Sequence, residues 1–171
     1  AGLLTGAQGR PDDSAALPLL DRAIAAFVTR VSRASMSGRT AQTVASLLRV
    51  QRYYETCGEL APEVATAHAA VEALGETPLR EAVTRLADEA DRLLVQLNPD
   101  TEPFAPLSKE QAECFEADYQ ALKADLLTAG ACGDIDIATM ESLMRSFSTL
   151  RRVVEQAAKA ARLLQPALAA E

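Results

Sequence analysis

Residues 47–64, LLRVQRYYETCGELAPEV, decide the fold. At heptad spacing Leu47, Val50, Tyr54, Cys57, Ala61, Val64, His68 and Val71 recur in alternating steps of three and four, which places them on one side of a helix. Such a stripe is built to pack against another helix. Adding 100 to the first seven positions gives Phe147, Leu150, Val154, Ala157, Ala161, Leu164 and Leu168, again apolar, and superposes Arg52 on Arg152 and Glu55 on Glu155. That distance is too long for a solenoid repeat and predicts a duplicated helical bundle, with residues 18–74 related to residues 114–168.

Working outward, the chain has 171 residues, enough for one domain with a sizeable core. Hydrophobic residues make up 49% but aromatics only 4%, so the core is expected to be Ala, Leu and Val on closely approaching helices; strand-rich folds favour the opposite mix. Residues 1–13, AGLLTGAQGRPDD, read as a flexible linker and residues 14–171 as a single helical domain, the whole resembling a piece of a longer protein. No run approaches the roughly 18 apolar residues of a bilayer-spanning helix, and no signal pattern opens the chain, so no direct membrane insertion of this piece is expected. The three cysteines, Cys57, Cys114 and Cys132, have no CxxC spacing and suggest reduced thiols. A net charge of −7 argues against nucleic acid as partner, which requires a concentrated basic face. Basic residues do gather on the last helix, at Arg145, Arg151, Arg152, Lys159 and Arg162, whereas residues 108–136 carry seven acids against Lys109 and Lys123. The asymmetry predicts attraction between neighbouring helices before it suggests an anionic ligand.

About five helices are expected in an all-α, antiparallel bundle. Leu17, Leu20, Ile24, Phe27 and Val31 give the first stripe, ended by Ser35, Ser37 and Gly38. The second helix runs from about Thr40 to Leu74, with a kink or break expected between Gly58 and Pro62 because proline removes a backbone donor and clashes one turn back. Gly75 closes it, and Thr77 with Pro78 opens the third helix, whose seam is Leu79, Val83, Leu86, Ala90, Leu93 and Leu97. Ser108 and Gln111 have capping-box spacing ahead of Phe115, Tyr119, Leu122, Leu126 and Ala129. The segment Gly130 to Gly133 breaks that helix, and Asp134 or Asp136 caps the last.

The order of a helix, a Ser/Gly turn and LLRVQRYYETCGELA resembles the PhoU family, whose repeated three-helix units carry ERxxD or the looser E/DxxxD; Glu55 and Glu59 match the looser form. DYQALKADLLTAGACGDIDIATMESLMRSFSTLRRVVEQAAKAARLL, residues 118–164, is similar to the PhoU-like tail that follows the membrane domain of bacterial sodium/phosphate cotransporter family proteins. The resemblance covers roughly residues 17–164. It implies a regulatory domain without catalysis, on the cytoplasmic face of the inner membrane, acting on phosphate uptake through the membrane domain of its own parent transporter, with a homo-oligomer as a further partner. It also implies a multinuclear metal site on the E/DxxxD motifs, of divalent or iron type. Here the sequence departs from the family: the second copy has Lys159 where the first has Glu59, and an ammonium repels the cation that carboxylates would hold.

Taken by themselves, Glu55 and Glu59 are a turn apart and could offer two carboxylates to a hard cation, with Glu63 a further turn on. The blander alternative is a solvated face on which Arg52 pairs with Glu55. His68 is the only histidine, so the Glu-x-x-His pairs of bundle-type carboxylate enzymes cannot be assembled, and it is expected to pack at the seam or its rim. Tyr54 reads as core, whereas Tyr53 is free to stack on a ligand. Cys57 reads as an inert buried thiol beside Glu55 and Glu59. Arg151, Arg152 and Lys159 could cradle phosphate, or simply complement acidic neighbours and the end of the helix dipole. A generic sensory or scaffolding bundle is the alternative function.

Overall fold

The computed structural model describes Ala26, residues 38–102 and residues 104–168. The linker over residues 1–13, the first stripe and the turn at Ser35 and Ser37 lie outside the described residues, apart from Ala26, which is helical. Within them the chain is all-helical: α1 (Gly38–Ala65), α2 (Ala67–Ala73), α3 (Pro78–Gln96), α4 (Lys109–Cys132) and α5 (Ile137–Leu168), with no strand among the described residues.

Each boundary has a local cause. Gly75 adopts φ 61° after α2 and Gly133 adopts φ 78° after α4, left-handed conformations that cost glycine little. The Thr77 side chain accepts from the Arg80 N–H ahead of α3, with Pro78 at the first helical position. Ser108 and Gln111 form a full capping box, each side chain bonded to the other residue's backbone. Asp136 takes the Thr139 N–H at 2.8 Å and so opens α5. The fourth helix passes through Gly130 and ends at Cys132 with Gly133 as its cap, inside the expected segment. Gly130 is buried there, and a Cβ on it would overlap the Met140 thioether of α5.

The interruption in the second helix falls at Thr66, not between Gly58 and Pro62. Pro62 is accommodated inside α1, and the chain instead tightens at the Glu63 carbonyl. That oxygen accepts from the Thr66 N–H at 3.2 Å, the Thr66 hydroxyl at 2.7 Å and the Ser146 hydroxyl of α5 at 3.3 Å. Two local donors and one from α5 replace the regular i,i+4 bond, which is how a helix breaks without orphaning a carbonyl.

From α2 to α5 successive helices alternate in direction. Glu72 of α2 meets Arg80 of α3, and Gln96 near the end of α3 meets Gln111 near the start of α4. Glu116 of α4 meets Arg151 of α5, while on the other flank of α5 Cys57 opposes Val153 and Glu63 opposes Ser146 and Thr149. The α1/α5 pairing is the most extensive among the described residues, and α5 also packs on α2, α3 and α4. Its burial is correspondingly broad: Leu143, Ser146, Phe147, Thr149, Leu150, Val153, Val154 and the alanines at 157, 158, 160 and 161 are all buried. Small side chains on that flank let the two backbones approach closely enough for a thiol to reach a carbonyl. One contiguous core joins α1 to α5, including the expected seam of α3 and that of α4 from Phe115 to Leu126.

The α1 seam differs from expectation by one step. Val50, Val64 and Val71 are buried and Cys57 half-buried, but Leu47, Ala61 and His68 are exposed. Positions seven apart can be completed either three or four residues on. The ladder through Leu60, Ala67 and Leu74 carries more apolar bulk than the one through Ala61 and His68, and it is the one turned inward. His68 is therefore a surface residue rather than a seam residue. On α5 the expected positions from Phe147 to Ala161 are buried and Leu164 is half-buried, so burial at the positions 100 apart agrees fully only at Val50 and Leu150 among the pairs from Leu47 to Val64.

Candidate functional site

The acidic ladder of α1 is distributed rather than gathered. Glu55 accepts from Gln51 at 3.0 Å and pairs with Arg52 at 3.2 Å on its own helix. Glu63 turns toward α5, where it accepts the Thr149 hydroxyl at 2.8 Å. Glu59 stays exposed. Among the described residues no three His, Cys, Asp or Glu side chains are grouped as a metal site would require. The equivalent position on α5, Glu155, is held by Lys159 at 2.7 Å, and this bond keeps its carboxyl below the ordinary glutamate value.

What the fold brings together at this level is a polar seam between α1 and α5. The Cys57 thiol lies 3.6 Å from the Val153 carbonyl and donates to it, Ser146 donates to the Glu63 carbonyl, and Thr149 donates to the Glu63 carboxylate. Burial pushes the Cys57 thiol up from its ordinary value, so it stays protonated and can keep donating. Burial also raises Tyr54, with further contributions from Cys57 and Asp100, and among the described residues the buried Tyr54 hydroxyl has no hydrogen-bond partner. Tyr53 is half-buried. Neutral donors on small side chains fix the register of two helices without burying an unpaired charge.

Two of the basic residues of α5, Arg151 and Lys159, are engaged. Arg151 bonds Glu116 of α4 at 3.0 Å and lies 5.3 Å from the centroid of the Tyr119 ring, so it clamps α4 to α5 by charge and by cation–π contact. Lys159 is taken by Glu155, and Arg152 is exposed. Arg151, Lys159 and Arg162 do border one groove between α4 and α5, floored by Phe115, Val154 and Ala158. Glu116 and Glu155 border the same groove, which makes it a mixed-charge cleft. Cys114 and Cys132 are exposed on α4.

Sequence reasoning missed Ser146 and Thr149. They share the flank of Val153, Ala157 and Ala160 at helical spacing, and small polar residues continuing an alanine face were the available signal. It also missed Glu116 as the partner of Arg151, since the acid excess of residues 108–136 identified the helix but not the residue.

No protein-family model matches this chain, and comparisons with curated proteins and with solved structures also find no match. The fold and the seam define an antiparallel all-helical bundle organised around one long central helix.

Proposed function

We propose that this bundle is a non-enzymatic regulatory domain of a sodium/phosphate symporter-type transporter, tuning phosphate uptake through contacts with the transporter's membrane domain or with a partner. The observation that carries this is the α1/α5 pair. The two stretches bearing the PhoU-like pattern lie against each other, antiparallel and side by side, and are tied by neutral bonds at Cys57–Val153 and Ser146–Glu63. A long helix pair held by small residues and a few neutral bonds suits a relay, because a contact that favours one register shifts the whole pair. The pseudo-repeat belongs to the same proposal. With Cys57 opposite Val153 and Glu63 opposite residues 146–149, a two-fold relation at an offset of 100 would have its axis between Glu55 and Glu155.

The test is phosphate uptake by the parent protein with and without residues 14–171. Retained transport with an altered response to external phosphate is expected, and an unchanged response overturns regulation. A reading frame upstream of Ala1 without apolar segments of about 20 residues removes the transporter and leaves a sensory or scaffolding bundle.

A further inference from the structure

Between the N-terminal half of α4 and the C-terminal half of α5 lies a narrow cleft of about 270 Å³, floored by Phe115, Val154 and Ala158. Past Leu107 and Ala112 it continues into a wider groove of about 730 Å³, and Glu116 and Arg162 border both. The depression exists because α4 and α5 present alanines there, Ala112 and Ala158, where longer side chains would close it. Its charges do not cancel. Every carboxylate bordering the two cavities holds a cation of its own: Glu113 takes Lys109 at 3.4 Å, Glu116 takes Arg151 at 3.0 Å and Glu155 takes Lys159 at 2.7 Å. Arg162 is left over, exposed and without an ion-pair or hydrogen-bond partner among the described residues. Arg151 adds spare donors, since Glu116 takes only its Nη1 and its Nε–H has no acceptor among the described residues.

An occupant must match one surplus positive charge at the end of an apolar trough. We propose that this cleft binds a free alkyl carboxylate, its headgroup paired with Arg162 and its chain lying along Phe115, Ala158 and Val154 toward Arg151. The guanidinium fork matches a carboxylate with two parallel hydrogen bonds. Arg162 and Arg151 lie about 16 Å apart along α5, at 1.5 Å per residue, so the trough takes an extended chain rather than a compact anion. Inorganic phosphate fits poorly, because one unpaired cation beside three carboxylates cannot replace the hydration of a multiply charged ion. The site does not depend on the transporter reading. A chain seated there touches α4 and α5 together, beside the Glu116–Arg151 bond, and therefore stabilises the bundle by mass action.

Calorimetric titration of the full chain with decanoate, below the concentration at which it forms micelles, tests this. One binding event per chain is expected, together with a rise in the thermal midpoint. Arg162→Gln should weaken binding about tenfold or more, as loss of a hydrogen bond to a charged group does, and Arg162→Lys should recover part of that loss. Because Arg162 is exposed, both variants should keep the urea midpoint of the unliganded chain. Ala112→Leu should weaken binding by obstructing the cleft, while Arg152→Gln, at an exposed arginine of the same helix, should leave it unchanged. Decanol, with the same chain and no charge, should bind more weakly than decanoate. Absence of saturable binding, or equal affinity in Arg162→Gln and the native chain, overturns the proposal. Several decanoates per chain whatever the variant overturns it as surfactant adsorption, and competition by inorganic phosphate overturns it in favour of a simple anion site.

Discussion

Cys57 illustrates how one residue's chemistry follows from its place. Its thiol is half-buried and raised by burial, while Cys114 and Cys132 are exposed. Maleimide at neutral pH should therefore label two thiols quickly and Cys57 last, and equal rates at all three would sink the seam geometry. The pH consequence has a fixed sign. A thiol raised in the folded state contributes stability that is intact below the unfolded value, 9.0 for an ordinary thiol, and is lost as pH rises through the folded value. Tyr54, raised from 10.0, acts in the same direction. The urea midpoint should fall on the alkaline side of the ordinary thiol value, and Cys57→Ala should flatten the first part of that fall. A midpoint independent of pH up to the tyrosine range would refute the assignment.

At the scale of elements, the seams of α3, α4 and α5 were legible because each has one apolar ladder and a cap with chemistry of its own, such as Thr77 before Pro78 or Ser108 with Gln111. The α1 seam was only half legible. Val50, Cys57, Val64 and Val71 fit two ladders equally, and the choice of Leu60 and Ala67 over Ala61 and His68 depended on what α5 presents to them. Proline misled for a related reason: α1 absorbs Pro62, while the break at Thr66 is stabilised by the Ser146 hydroxyl from a helix more than eighty residues away. The polar seam was illegible because a serine, a threonine and a cysteine become a set only when α1 and α5 pair. Their closeness makes a testable demand on size. Ala160 is 0% exposed and shares the flank of Val153, so Ala160→Leu should wedge α1 from α5 and cost about 1–3 kcal/mol in urea unfolding. Ala124→Leu, on the exposed face of α4, should stay within about 0.5 kcal/mol; equal effects at the two sites would mean that the pair is not tightly packed.

Across the whole molecule, the core is contiguous from Val64 through α3 and α4 to Ala161, but Val50 and Ala160 are buried outside it. Among the described residues the end of the α1/α5 pair is thus supported mainly by itself, whereas the region around Leu143 is surrounded by the other helices. Two modes of opening follow. Loss of the central core must loosen every helix, but loss of the α1/α5 contact near its end can loosen that end alone, the kind of local excursion that a docking partner can favour. Leu143→Ala should cost about 2–5 kcal/mol and speed amide exchange throughout α3, α4 and α5. Ala160→Leu should speed exchange in residues 38–56 and 157–168 while leaving the slowest amides of α3 and α4 in place. If Ala160→Leu instead accelerates all helices to the same degree, the pair has no independent opening, and a relay through its register is ruled out.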